Sequence, residues 1–311
     1  MANILVTGGN GFIGSHLVDR LARQASVVVF DRRERRYDPL PPGVRAVSGS
    51  LSDRDLIRNA LTDFGIDTVY HLAWSSIHES ATRRPLADIE SNLMPTVSLL
   101  DACRETGVRR VIYVSSGGTV YGLPQAGAVA EDHPTHPINA YGVTKLAVEK
   151  YLGAYRHLYG LEYVVFRPSV PYGPRQNPLG RQGAVAVFLY RALRGDPIVI
   201  FGDGQTSRDF FFVTDMIEPL ARAGLGDEGV NQAFNLGGGR SYSLNELVAA
   251  IGDAVGRSPA VRYEPARLID APRVCLDCRA ALDAFGWRPT TSLAEGIRQT
   301  AAWMRAAQIL S

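Results

Sequence analysis

The chain has 311 residues, enough to bury about three quarters of the surface its unfolded form exposes and near the size at which one core gives way to two. Its 33 Lys and Arg against 31 Asp and Glu leave a net charge of +2, which excludes a global field that draws nucleic acid or an anionic membrane. Membrane-span candidates are short or broken by charge, the N-terminus enters a strand without a basic region or cleavage site, and three cysteines make no disulfide framework, so a soluble, cytoplasmic protein is expected.

Ile4-Leu5-Val6 reads as a buried strand, Gly8, Gly11 and Gly14 follow at three-residue spacing, and Ser15 to Arg23 has helical periodicity. Strand, glycine turn and helix in that order present backbone N–H groups and a positive dipole end to a pyrophosphate. Asp31 ends the second apolar run, Val27 to Phe30, at the distance where a carboxylate accepts hydrogen bonds from an adenosine ribose. Arg32 and Arg33 follow it. They either meet a 2′-phosphate or face solvent, and the repulsion between Asp31 and such a phosphate favours NAD over NADP. Val44 to Val47 reads as a strand, the loop Gly49 to Leu51 is expected to pass the adenine, and Ser52 or Asp53 caps the next helix.

Asp67 to Ala73 and Arg110 to Ser115 are further strands, separated by a helix from about Pro85 to Thr106 that contains Asn92 and is bent by Pro95. This alternation predicts an α/β fold with a Rossmann-type, doubly wound parallel sheet. Tyr141 and Lys145 lie four apart on the next predicted helix, which runs to about Tyr159. They therefore share a face, and an ammonium there would lower the phenol pKa and ready it to take a proton from a substrate hydroxyl. The alternative is an ordinary amphipathic surface pair. After the Leu161 to Arg167 strand and Pro168, prolines and glycines punctuate shorter elements. Residues 1–167 are read as the cofactor-binding domain and 168–311 as mainly a smaller α/β substrate-binding domain, with the chain returning to the first around 210–236. Cys275 and Cys278 form a Cys-x-x-Cys pair, but no second pair completes four ligands, so thiols and no metal are expected.

Thr7-Gly8-x-x-Gly11-x-x-Gly14, Asp31, Ser115 to Gly122, Tyr141-x-x-x-Lys145, Arg167-Pro168, Tyr172-Gly173-Pro174 and Arg208-Asp209-Phe210 together resemble the extended short-chain dehydrogenase/reductases, and within them the NAD-dependent nucleotide-sugar epimerase/dehydratase family. The resemblance covers nearly the whole chain. It implies an NAD reduced and reoxidised within one cycle, a 4-keto sugar intermediate, and a nucleotide-diphosphate sugar, UDP-linked above all, as substrate. Tyr141 is then the base and Lys145 its electrostatic partner, with Ser116 or Thr119 supplying a hydroxyl or a water replacing it. The implied cofactor contacts are Gly8, Gly11, Phe12, Ile13, Gly14, Asp31, Arg32, Ser50, Leu51, Leu72, Ala73, Ser76, Asn92, Ser115, Tyr141, Lys145, Arg167 and Pro168. Those implied for the substrate are Ser116, Gly117, Tyr141, Val170, Arg175, Val185, Arg208 and Arg267. Arg175 and Arg181 either meet an acidic sugar or face solvent.

Three departures from the family pattern stand out. Gly117 replaces the usual Ser or Thr two residues before Thr119, Val170 replaces an Asn, and Ser50 and Trp74 replace an Asp and a small residue. The Ser115 to Thr119 loop carries no carboxylate, whereas dehydratases of the family place an Asp-Glu pair there and the decarboxylases a Glu, which favours epimerisation. Dehydratase or keto-sugar reductase activity, or a cofactor-binding sensor that has lost catalysis, are the alternatives. Family members pair as homodimers through two helices each, here about 85–106 and 141–159.

Overall fold

The computed structural model describes residues 2–123, 127–180, 182–266 and 273–310. Its strands are β1 (Asn3–Thr7), β2 (Ser26–Asp31), β3 (Arg45–Ser48), β4 (Thr68–His71), β5 (Arg110–Val114), β6 (Glu162–Pro168), β7 (Val170–Tyr172), β8 (Ile198–Phe201), β9 (Ser207–Phe212), β10 (Gln232–Leu236), β11 (Ser241–Ser243), β12 (Val261–Glu264) and β13 (Arg273–Val274). The helices are α1 (Phe12–Leu21), α2 (Arg54–Asp63), α3 (His78–Arg83), α4 (Pro85–Asp88), α5 (Met94–Thr106), α6 (Ala140–Tyr159), α7 (Ala184–Arg194), α8 (Val213–Leu225), α9 (Leu244–Val255), α10 (Arg279–Phe285) and α11 (Leu293–Ala306).

Seven strands form one parallel sheet in the order β10-β6-β5-β4-β1-β2-β3. Alternate side chains of a strand point to opposite faces, and both faces are apolar because both are covered. Ile4 and Val6 of β1 meet Leu17 and Leu21 of α1 and Met216 and Leu220 of α8. Leu5 faces the other way, into a layer built by Ile57 of α2, Leu99 and Cys103 of α5, and Val148 and Leu152 of α6. The expected doubly wound α/β sheet is therefore what the chain forms.

A second core lies between α7, α9, α11 and two small sheets, with Phe188, Leu189, Ile198, Phe210, Phe212, Ile251 and Ile297 at its centre. Strand β9 sits here, flanked by β7, β11 and β13, while β8 pairs with β12. The return to the first layer is made by α8, which covers α1, and by β10, which pairs in parallel with β6. Pro95 opens α5 and leaves the helix no N–H to give at that point. Immediately before it, residues Ile89–Leu93 wind as a π-turn, so the expected long helix is α4, a π-turn and α5 in series.

Candidate active site

The strand order reverses between β1 and β4, and the carboxyl ends of these two strands open the crevice where an α/β sheet binds ligands. Gly8 takes φ +73°, and a Cβ there would lie 2.7 Å from the Ala73 nitrogen. A Cβ on Gly14 would lie 2.1 Å from the Gly8 carbonyl oxygen. Only glycine lets the turn, α1 and the end of β4 approach so closely. The cleft they bound, about 420 Å³, is lined by Gly8, Gly11, Phe12, Asp31, Arg32, Ser50, Leu51, Leu72, Ala73 and Asn92. Ile13 packs into the core behind it and Gly14 is buried within α1.

The Asp31 carboxylate is oriented at the cleft by the backbone N–H groups of Asn10 (3.1 Å) and Arg33 (3.1 Å). Arg35 lines the same cleft; its Nη2 binds Asp19 at 2.8 Å, whereas its Nε and Nη1 are buried without a partner among the described residues. Buried N–H donors left open at a glycine cradle suit a diphosphate. Asn10 and Arg35 were not singled out in the sequence, because only the fold brings the 32–36 loop back over α1.

At the other end of the cleft, Asn92 Oδ1 accepts from the Ser75 N–H (2.8 Å) and hydroxyl (3.0 Å), and its Nδ2 donates to Asp88 Oδ1 (2.9 Å). His71 bridges Thr7 (2.8 Å) and Thr96 (2.9 Å). Burial, aided by the Lys145 charge, lowers its pKa to about 3 and keeps the imidazole neutral.

Tyr141 lies in the first turn of α6, which Asn139 caps by accepting from the Gly142 N–H at 2.9 Å. The Tyr141 ring sits between His78, at 4.7 Å between centroids, and Trp74, at 6.0 Å. Lys145 Nζ donates to the Val114 carbonyl (2.9 Å) and lies 3.7 Å from the Trp74 ring centroid, a cation–π seat. Burial lowers its pKa to about 7 against the opposing pull of Glu149 and Asp88. The expected lowering of the phenol is not found. Burial first, and then the negative charge of Asp88, raise the Tyr141 pKa well above its ordinary value, and the ammonium lies 5.8 Å from the ring centroid.

The Ser115–Gly122 loop packs on this turn, since a Cβ on Gly142 would stand 2.8 Å from the Thr119 carbonyl oxygen. Thr119 Oγ1 is buried without a partner among the described residues, and Ser116, three residues earlier in the loop, is also buried. The side chains of Ser115 and Arg167 are both committed to Glu149: the Ser115 hydroxyl donates at 2.5 Å and Arg167 Nη2 at 2.6 Å. Arg167 Nη1 also donates to Tyr121 OH (2.8 Å), and Pro168 contributes its carbonyl to the Gly117 N–H (2.9 Å). Glu149 was legible only as the next position of the 141, 145, 149 spacing on α6.

A family model for the NAD dependent epimerase/dehydratase family matches residues 4–237. The chain belongs to the NAD-dependent epimerase/dehydratase family. The UDP-glucose 4-epimerase of Mycolicibacterium smegmatis is 40% identical over 308 residues, covering 97% of this chain and 98% of that one. The structure of the UDP-glucose 4-epimerase of Thermotoga maritima with UDP-glucose matches with a TM-score of 0.94 at 35% identity, covering 98% of this chain and 99% of the other. That of the Thermus thermophilus UDP-glucose 4-epimerase in complex with NAD matches at 0.92 and 36%, with the same coverage. NAD is the family's cofactor, and the glycine cradle, Asp31 and the open Arg35 donors of this chain fit it.

Seen within the family, the substrate-side expectations separate. At Gly117 a Cβ would meet Leu276 Cδ1 at 2.5 Å and the Arg167 carbonyl oxygen at 2.7 Å, so the loop has closed over the place where the family pattern led a hydroxyl to be expected. Val185 is 1% exposed and belongs to the second core, which removes its side chain from substrate contact. Arg175 binds Asp19 (2.7 Å) and Asp38 (2.7 Å) at the rim of the cofactor cleft. Val170 packs against the second core and Arg208 emerges from β9, where its Nη1 donates to the Ser207 carbonyl (2.9 Å). Ser76 takes the Trp74 indole N–H at 3.0 Å and itself donates to Asp88. Arg181 and Arg267 lie outside the described residues. Cys275 and Cys278 are free thiols whose pKa values burial raises, and no metal-holding cluster occurs among the described residues.

Proposed function

We propose that the chain is an NAD-dependent nucleotide-sugar 4-epimerase acting on UDP-hexoses, with Tyr141 as its proton-transfer residue. The observation that carries this is the Tyr141–Lys145 pair facing a loop without a carboxylate of its own: Glu149, the acid that touches Ser115, is locked by Arg167 and offers no second base. Bound NAD supplies the acceptor and the donor of hydride. Tyr141 accepts the 4-hydroxyl proton as C4 is oxidised, and returns it when the ketone is reduced on its other face. Lys145 holds positive charge beside the phenol, which burial otherwise keeps protonated. Ser116 and Thr119 supply hydroxyls to the 4-oxygen in place of the residue absent at Gly117. Arg208 contacts the diphosphate, as a guanidinium's planar fork suits.

Incubation with UDP-, dTDP- and GDP-hexoses, followed by NMR for C4 inversion, tests the reading; inertness to the panel with NAD present overturns it. Accumulation of a 4-keto product marks a dehydratase, and consumption of external NAD(P)H a reductase. Y141F abolishes inversion while retaining NAD affinity by calorimetry; biological activity that survives this change marks a sensor.

The assembly is a homodimer in the cytoplasm. Leu86, Ile89 and Met94 on one helical segment, and Val143, Tyr151 and Leu158 on α6, are exposed apolar side chains on the two helices assigned to the interface, Leu86 to the extent of 75%. Light scattering showing a monomer at micromolar concentration refutes the dimer. Among the described residues no helix is long and apolar enough to cross a membrane.

A further inference from the structure

Asp88 closes α4 and is 2% exposed, a carboxylate sealed from water where three segments meet. Its Oδ1 accepts from the Ser76 hydroxyl and from Asn92 Nδ2 (2.9 Å), and its Oδ2 accepts from Thr144 Oγ1 (2.6 Å), the residue before Lys145 on α6. Ser76 in turn receives the Trp74 indole N–H (3.0 Å), and the face of that indole is the seat of the Lys145 ammonium. Two chains of contacts therefore run from one buried carboxylate to the same lysine: one through Thr144 and the helix backbone, the other through Ser76 and Trp74.

We propose that Asp88 is the positioning residue of the reacting pair, anchoring the first turns of α6 through Thr144 and holding the Trp74 indole against the Lys145 ammonium through Ser76. This rests on the reading of Tyr141 and Lys145 as that pair. The hydroxyls and amide around Asp88 satisfy its lone pairs but bring no positive charge, so the carboxylate and the lysine ammonium support one another across a water-poor interior. The other groups facing the pair are Glu149 on α6 itself, Tyr113 from β5, His78 from α3 and the neutral His71 from β4, with Arg167 of β6 paired to Glu149. Burial disfavours the ammonium, while Glu149 and Asp88 both favour it. The same Asp88 charge disfavours a Tyr141 phenolate. Replacing Asp88 by an uncharged isostere consequently makes both groups titrate at lower pH.

Lys145 and Lys150 are the only lysines in the chain, and Lys150 is exposed. Lysine labelled with carbon-13 at the ε-carbon therefore gives two signals, one reporting the site and one serving as internal reference. In D88N the Asn side chain can still accept and donate in the same place, and the Thr144 hydroxyl can turn wholly to the Ala140 carbonyl, already 3.0 Å away. The Lys145 midpoint in D88N falls by about one pH unit or more, the size a neighbouring buried charge imposes, while Lys150 does not move. With UDP-glucose, both limbs of the kcat profile of D88N move toward acid. D88E, which keeps the charge and displaces it by one methylene, keeps the wild-type Lys145 midpoint while kcat falls. An unmoved Lys145 midpoint in D88N with an intact thermal transition overturns the proposal, as does a lowered kcat without displacement of either limb. If D88N does not fold, D88E decides: a Lys145 midpoint displaced as far as loss of the charge requires also overturns it. The lysine titration needs no turnover, so it stands even if no hexose of the panel is inverted.

Discussion

Glu149→Gln removes one partner of a buried ion pair. Glu149 and Arg167 have side chains only 7% and 8% exposed, and they meet at 2.6 Å with two further contacts at 3.2 Å from the guanidinium Nε. Burial works against the Arg167 charge, but the bonds to Glu149 outweigh it and raise the guanidinium pKa above its ordinary value. Deleting the anion strands that cation. Breaking such a pair from one side costs about 3–5 kcal/mol. Arg167 keeps its bonds to Tyr121 OH (2.8 Å) and the Glu131 carbonyl (3.2 Å), which places the expected loss at the lower end, about 3 kcal/mol. For a chain of this size that corresponds to a fall of roughly 5 °C in melting temperature. Urea unfolding followed by circular dichroism, with an unchanged slope, measures it. The paired replacement E149M/R167M, which strands no charge, recovers most of the loss. A single-variant loss below about 1 kcal/mol, the range of exposed pairs, or a double variant no better than the single, refutes the reasoning.

G117S places a Cβ 2.5 Å from Leu276 Cδ1 and 2.7 Å from a backbone oxygen, so adding the family's hydroxyl lowers stability by about 1–3 kcal/mol in urea; unchanged stability contradicts the closed loop. G14A sets a methyl 2.1 Å from the Gly8 carbonyl oxygen, and calorimetry is expected to show NAD affinity lost in a protein that retains its helical signal. Asp209, fully buried, has its pKa raised from 3.8 to about 6 by burial, against hydrogen bonds from the Leu276, Gly238 and Gly239 N–H groups. A raised folded-state pKa contributes stability that is present below the unfolded value and lost as pH rises through the folded one. Wild type should therefore lose stability relative to D209N between about pH 4 and 6, read by thermal melts across that window.

The main sheet was legible because its strands are short apolar runs buried on both faces, and because Gly8, Gly11 and Gly14 announce a close backbone approach without knowledge of the partner. The face shared by Tyr141 and Lys145 followed from helical spacing alone. Their electrostatics did not, since depth of burial and the distance to Asp88 are set by packing of α4 against α6 and have no trace in local sequence. Strand β7, three residues long and following a proline, exists only because β9 lies beside it. Val185 was not legible for a related reason: position near a substrate loop does not say whether a side chain turns toward the core, as this one does. Pro95 correctly marked a disturbance in its helix, but the π-turn ahead of it, which carries Asn92, has no sequence signature of its own.

The edge strand β10 carries a consequence for synthesis. A ribosome that has delivered β6 has produced every other strand of the main sheet, yet β6 then ends in an unpaired edge, and the α1 face lacks the cover that α8 provides. Until β10 arrives, after the elements of the second core, the nascent chain offers other chains an open apolar strand on which to add. A fragment ending near Pro168 is thus an aggregation-prone intermediate, and the two parts of this protein mature together.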